Sequence, residues 1–96
     1  MNGSFYGDFN QEFKPRIEME QSYIENILRL NKGKQATIYT SFNTANEILN
    51  NKFDGVIEEA GRDHVILRDL NKNEWYMILM IYVDYVKFYE KINYKK

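Results

Sequence analysis

The apolar residues of this chain change their spacing once, at Gly33, and this change constrains the fold more than any other feature. Before Gly33 the apolar side chains recur with the period of an amphipathic α-helix. After Gly33 they alternate with polar side chains, which is the period of a half-buried β-strand. The sequence therefore predicts one helix that is followed by strands. The helical apolar stripe consists of Tyr23, Ile24, Ile27, Leu28 and Leu30.

The helix is predicted over residues 17–30, within which its regular part has recognisable ends. Ser22 is a candidate N-cap, and Glu25 three residues later would complete a capping box, so the regular helix would start at Tyr23. The helical pattern stops before Gly33, and glycine suits the left-handed conformation that commonly ends a helix.

The segment before the helix has no regular period. Residues 1–16 mix polar residues with isolated aromatic ones, and Pro15 closes the segment. We expect a flexible N-terminal arm there. The remaining residues, 17–96, are too few for two ordinary domains and predict a single one.

Short strands separated by turn residues are predicted after Gly33. The Asn-rich stretch 43–51 is interpreted as a connection, and Gly55 as the position of a bend or bulge. An N-terminal helix followed by short, strongly bent strands predicts an α+β fold with a small antiparallel five-stranded SH3- or Sm-like barrel. The predicted strands cover residues 35–42, 53–59, 64–68, 74–82 and 83–89.

The longest apolar run of the chain lies in the fourth predicted strand, from Trp75 to Val83. A run that is apolar at successive positions is typical of a strand that is buried on both faces. We therefore expect the fourth strand to be the most buried one and to organise the core. The predicted core side chains are Ile38, Leu67, Ile78, Leu79 and Ile81.

Composition excludes several classes of function. Thirteen basic against fourteen acidic side chains give a net charge of -1, which argues against nucleic-acid or membrane binding by bulk positive charge. The absence of cysteine excludes disulfides, thiolate metal sites and cysteine nucleophiles. One histidine and isolated glycines provide neither a catalytic constellation nor a phosphate loop. We expect no enzyme, no cofactor, no metal site and, since no signal peptide is recognisable, synthesis in the cytoplasm.

Two features leave other binding functions open. Tyr39, Tyr76 and Tyr89 are predicted on the outer side of the strands, where tyrosine is a good contact residue, so homo-oligomers are conceivable. Basic residues near tyrosines on a small barrel could stack and hold bases, which makes an Sm-like RNA-binding module the alternative function. The basic residues concerned are Arg29, Lys32, Lys34 and Lys52.

Three strings of residues resemble the spore coat protein GerQ family of endospore-forming bacteria. They are YIENILRLNKGK at 23–34, FDGVIEEAGRDHVIL at 53–67 and IYVDYVKF at 81–88, and the resemblance covers roughly residues 20–90. It implies a structural, non-enzymatic scaffold of the spore coat. It further implies that the protein helps to recruit or retain a cortex-lytic cell-wall hydrolase needed for germination, among other coat proteins.

The resemblance also implies that the chain is a substrate of a coat transglutaminase, which joins glutamine to lysine side chains. Such an enzyme must draw a side chain and its backbone into a cleft, and chain ends allow this most readily. Gln35 and Lys87 lie in predicted strands and are expected to react poorly. The candidate cross-linking residues are Gln11, Lys14, Lys91, Lys95 and Lys96.

The turn that contains Arg62, Asp63 and His64 is the candidate partner-binding site. It is polar and predicted to face solvent, although it belongs to a string shared with the family. Arg62 would offer a planar group with several donors to a partner. The alternative is purely local: Gly61 allows a tight turn and Asp63 caps it.

Overall fold

The structure, a computed structural model, describes residues 23–94. Residues 23–30 form helix α1, and a single turn of 3-10 helix, Met80–Tyr82, joins the last two strands. The predicted arm and the Ser22 cap lie outside the described residues. The strands are β1 (Gln35–Asn43), β2 (Ile48–Ala60), β3 (His64–Asp69), β4 (Glu74–Leu79) and β5 (Val83–Phe88).

Helix α1 ends where the sequence predicts. Gly33 has a φ of 90°, the left-handed conformation that glycine adopts without a steric cost. Its N–H donates to the carbonyl of Ile57 at 2.8 Å, and the Ile57 N–H donates to the carbonyl of Lys34 at 3.1 Å. The two residues that follow the helical turn, Gly33 and Lys34, are therefore hydrogen-bonded to β2. This attachment positions Leu28 of α1 in the core.

The strands form one five-stranded antiparallel sheet in the order β4-β3-β2-β1-β5. The α+β class is confirmed. Among residues 23–94, β4 and β5 each pair with one strand only, so the sheet is not closed and the SH3- or Sm-like barrel is not confirmed. Because β3 covers only residues 56–60 of β2, the outer half of the β1–β2 hairpin extends beyond the rest of the sheet.

The prediction of a connection over residues 43–51 is wrong. Strand β2 already begins at Ile48, and only residues 44–47 form the turn, in which the Thr44 hydroxyl accepts the N–H of Glu47 at 3.0 Å. Residues 42–50 are exposed, so polar side chains are tolerated while the backbone pairs with β1. The sequence pattern therefore lacked the apolar alternation by which a strand is recognised.

The prediction that the fourth strand is the most buried is also wrong. Strand β4 is an edge strand, since it pairs with β3 alone. Ile78 faces the core and is 6% exposed, but Leu79 is 41% exposed and Ile81 is 76% exposed. Leu79 belongs to the row of alternate side chains that faces away from the core, and the 3-10 helix carries Ile81 outward.

The core lies on one face of the sheet. A register shift between Ile57 and Glu59 places a bulge there, which lets both Ile57 and Ala60 point inward. Gly55 is not the bulge: it pairs regularly with Ala36 and lies close to the backbone of β3. The buried apolar residues are Leu28, Ala36, Ile38, Ile57, Ala60, Val65, Leu67 and Ile78.

The tyrosines expected on the outer side have different environments. Tyr39 stacks on Tyr85 with ring centroids 4.4 Å apart, and Tyr89 bonds to the buried hydroxyl of Thr37. Tyr76 instead packs beside the core against Phe53, so its predicted outward orientation is wrong.

Asn31 is a fully buried polar residue that the sequence analysis did not identify as structural. Its amide group donates to the carbonyls of Ile27 and Asn93, both at 2.7 Å, and its oxygen accepts the N–H of Asn93 at 2.9 Å. This side chain thus joins the end of α1 to the segment 91–94 that follows β5.

Replacing Asn31 with alanine should lower the free energy of unfolding by about 1–3 kcal/mol, because the backbone groups of Ile27 and Asn93 would lose their buried partner. Urea unfolding measures the effect. Asn50→Ala in the exposed part of β2 is the control and should cost at most about 0.5 kcal/mol. Equal unfolding midpoints for the two variants would show that the Asn31 contacts are not stabilising.

Candidate partner-binding surface

The turn that carries the candidate residues is fixed at both ends. The N–H of Gly61 donates to the carbonyl of His64 at 2.9 Å, which closes the turn between β2 and β3. The carbonyl of Asp63 accepts the N–H of Met80 at 2.9 Å, which bonds the turn to the 3-10 helix. The three candidate side chains therefore project from a well-anchored backbone.

The imidazole of His64 explains the glycine at position 61. A Cβ atom on Gly61 would lie 2.6 Å from Cε1 of His64, so any larger residue would displace the ring. In this position the His64 ring forms a hydrogen bond between its Nδ1 and Oδ1 of Asp63, at 2.9 Å. This hydrogen bond is the main reason why the pKa of Asp63 is lowered, so the exposed carboxylate holds its negative charge more firmly.

Arg62 is exposed and carries the positive charge of the turn. Within residues 23–94 its guanidinium has neither an ion-pair nor a hydrogen-bond partner. The group can therefore bind an external carboxylate without breaking an internal contact.

A groove of about 430 Å³ adjoins the turn, and we name it the α1–β5 groove. Its lining is mainly apolar, with charged side chains of both signs beside it, which suits a protein segment that carries an apolar anchor. The side chains that line it are Ile24, Met80, Ile81, Val83, Tyr85 and Val86, together with Arg62, Asp63 and Asp84.

The sequence analysis identified one side of this surface and missed the other. Arg62 and Asp63 were candidates, whereas Ile81 was assigned to the core and Tyr85 was not named as a candidate. In the structure Tyr85 is 58% exposed, so both residues are accessible from solvent. The available signal was the family-like string at 81–88, which contains these two exposed apolar residues.

The candidate cross-linking residues are mostly outside the described part of the chain. Gln11, Lys14, Lys95 and Lys96 cannot be placed, whereas Lys91 is exposed in the irregular segment after β5. The Lys91 carbonyl accepts Nζ of Lys34 at 2.8 Å. Gln35 lies in β1 and Lys87 in β5, as the sequence predicts.

The basic residues of the RNA-binding alternative are largely engaged. Arg29 forms an ion pair with Glu25 at 2.9 Å, and its Nε donates to the carbonyl of Ala60 at 2.7 Å. Lys32 lies 3.3 Å from Glu59, a carboxylate whose pKa is lowered first by the Ala60 N–H and then by Lys32. Within residues 23–94, Arg29 and Lys32 are therefore neutralised by carboxylates, which reduces the positive charge that a phosphate backbone could meet there.

Two further searches cover the described residues alone. Within residues 23–94, no three histidine, aspartate or glutamate side chains come together as a metal-binding group. In the same range, no helix has the length and apolar character needed to span a membrane.

The described residues form a small α+β domain with an apolar groove beside an exposed, charged turn. A family model described as "Spore coat protein (Spore_GerQ)" matches residues 19–94. The chain therefore belongs to the GerQ family of spore coat proteins, and the resemblance seen in the sequence is confirmed. It is also 53% identical over 78 residues to the Spore coat protein GerQ of Bacillus subtilis (strain 168). That match covers 81% of this chain and 43% of the relative, so the chain spans less than half of the relative's length.

Proposed function

We propose that this protein is a non-enzymatic scaffold of the spore coat that retains a cortex-lytic cell-wall hydrolase needed for germination. The observation that carries the proposal is the α1–β5 groove beside Arg62. It is an apolar surface with a cation that is unpaired within residues 23–94, in a member of a spore coat protein family. A scaffold needs a fixed surface, and the bond between Asp63 and Met80 supplies one. A preorganised surface loses less conformational entropy when a partner binds.

The chemistry of the groove suits the recruitment of a protein better than that of RNA. Ile81 and Tyr85 offer exposed apolar area that the core does not use. Arg62 can add a charge-assisted hydrogen bond to a carboxylate of the partner. Asp63 and Asp84 line the same groove, and their negative charges would repel a phosphate backbone.

The double variant Arg62→Glu/Ile81→Asp should lower hydrolase retention in spores and slow germination through that enzyme. It reverses a charge and places a second one on the apolar lining, and each residue at the centre of such a surface is worth about 2 kcal/mol, or ~30-fold in affinity. Immunoblots of hydrolase in purified spores measure the effect.

The matched control is Lys72→Glu/Leu70→Asp, which makes the same kind of change in the exposed turn between β3 and β4. Its hydrolase level should equal that of the parent. Normal retention with a folded, coat-located Arg62→Glu/Ile81→Asp protein would exclude the α1–β5 groove as the recruiting surface. Normal retention in spores that lack the whole protein would exclude the recruiting role itself.

We further propose that a coat transglutaminase joins this protein to neighbouring coat proteins through residues at its ends. Lys91 is supported by its exposed position outside the strands. Gln35 and Lys87 are disfavoured because the pairing of Gln35 with β2 and of Lys87 with β1 holds their backbone away from an enzyme cleft. The remaining donors and acceptors are the end residues Gln11, Lys14, Lys95 and Lys96.

A further inference from the structure

Strand β4 presents an apolar edge that is open among residues 23–94. It pairs with β3 on one side only, and it carries no charged side chain from Trp75 to Leu79. Trp75 is 54% exposed and Met77 is 64% exposed. An edge strand with free backbone groups and no charge or proline is a template for pairing with another chain.

The second open edge, β5, differs from β4 because it carries charged side chains. Its six residues include Asp84 and Lys87, and both are exposed. Charged side chains on an edge strand oppose pairing because they would be placed against apolar neighbours or like charges. Of the two edges of this sheet, β4 is the one without such protection.

We propose that β4 pairs antiparallel with β4 of a second copy of this chain, with the twofold axis at Met77. This axis places Trp75 opposite Leu79 of the second copy and Tyr76 opposite Ile78 of the second copy, while Met77 faces its own equivalent. Every opposed pair is apolar or aromatic, which is the kind of cross-strand pair that stabilises a sheet. The surface is thus self-complementary, as a symmetric dimer requires.

Charge is compatible with this register as well. Glu74 is the only ionised residue of β4, and it would lie opposite Met80 of the second copy. The two Glu74 side chains are then at opposite ends of the paired strands, so no like charges meet.

Trp75 is already held in place before any association. Its Nε1 donates to Oε1 of Glu58 at 2.8 Å, and the same oxygen accepts Nε of Arg68 at 3.1 Å. The indole therefore lies fixed on the face of the sheet away from the core. A large aromatic side chain whose position is fixed beforehand loses little entropy on binding and is a common hot spot of interfaces.

The proposed contact between the two β4 strands is small. A six-residue strand is about 20 Å long, so a single pair of strands buries less than the roughly 1,200 Å² at which stable interfaces begin. The dimer should be reversible, with a dissociation constant on the order of micromolar to a few hundred micromolar. It goes beyond the proposed function, and β4 itself contains none of the residues that line the α1–β5 groove.

Sedimentation velocity of the full chain tests the proposal over a range of about 10–500 µM. The parent should pass from monomer to dimer, and Met77→Lys should remain monomeric because two ammonium groups would meet at the axis. Leu70→Lys is the matched control: it introduces the same charge at a residue of similar exposure in the turn before β4, and it should dimerise like the parent. Thermal unfolding of each variant verifies the fold.

Three results would overturn the proposal: a parent that stays monomeric throughout, a Met77→Lys variant that dimerises normally, or growth beyond the dimer. Growth would indicate that β4 pairs head-to-tail with β5 of the next copy.

A cysteine scan tests the register directly. Opposed residues in antiparallel strands have Cα atoms about 4.5–5.5 Å apart, within the range of about 4.4–6.8 Å that a disulfide requires. The chain contains no cysteine, so an introduced one has only its equivalent to react with. Met77→Cys should form a covalent dimer under mild oxidation much faster than Ile81→Cys. Equal rates for the two variants would overturn the register.

Discussion

Replacing Ile38 with alanine should lower the free energy of unfolding by about 2–5 kcal/mol. Ile38 is fully buried in β1, where it pairs with Phe53 of β2 and Val86 of β5. Truncation removes the burial of a large side chain and leaves a cavity between strands that cannot close up. A small domain is stable by about 5–10 kcal/mol in total, so the variant should be partly unfolded near physiological temperature.

Urea unfolding measures this loss, and Leu79→Ala is the control. Leu79 is 41% exposed on the edge strand, so its truncation should cost about 1 kcal/mol or less. Both variants are compared at the same protein concentration, so that the proposed dimer affects both measurements alike. If Leu79→Ala cost as much as Ile38→Ala, the position of β4 at the edge of the sheet would be wrong.

Gly55→Ala should be the most damaging change that adds a single methyl group. Its Cβ would lie 2.4 Å from the carbonyl oxygen of Arg68 and 3.0 Å from Cγ of Leu67. The first of these atoms belongs to the backbone of β3, so the clash cannot be relieved by a side-chain rotation. Strand β3 would have to move away from β2, at a cost of about 1–3 kcal/mol or more in the free energy of unfolding.

Hydrogen exchange distinguishes this clash from a general loss of stability. Gly55→Ala should speed amide exchange most in β3, next to the displaced contact. Gly33→Ala is the control, because its positive φ costs about 1–2 kcal/mol while no atom lies within 4 Å of the new Cβ. Unchanged exchange in β3 of the Gly55→Ala protein would contradict the close approach of the two strands.

Local features of the fold could be predicted from the sequence because they depend on neighbouring residues. Gly33 ends the helix through its own backbone conformation. The turn after β3 forms because Oδ1 of Asp69 accepts the N–H groups of Asn71 and Lys72 at 2.9 and 3.2 Å. Leu67 was predicted to be a core residue of the third strand, and it is fully buried.

The position of β4 could not be predicted in the same way. An apolar run is the signature of a strand buried in the middle of a sheet, but an unprotected edge strand has the same composition. Which of the two applies depends on how many neighbours pair with the strand, and that is a property of the whole topology. The buried Asn31 escaped prediction for the same reason, since its partner Asn93 is 62 positions away.

The candidate site was predictable only in its continuous part. Arg62, Asp63 and His64 follow one another in a turn that the sequence marks clearly. The α1–β5 groove beside them is assembled from a helix, a 3-10 turn and a strand that come together only on folding. Ile81, one of its apolar residues, was predicted to lie in the core, and the fold shows that it is exposed.

The contact between Asn31 and Asn93 also determines where the two ends of the domain emerge. It brings the last described residues against the end of α1, a helix of eight described residues that is about 12 Å long. The tip of the β1–β2 hairpin is carried about 30 Å from that point by the nine residues of β1. Within residues 23–94, the end of α1 and the segment 91–94 therefore lie at one pole of the domain, and the hairpin tip lies at the opposite pole.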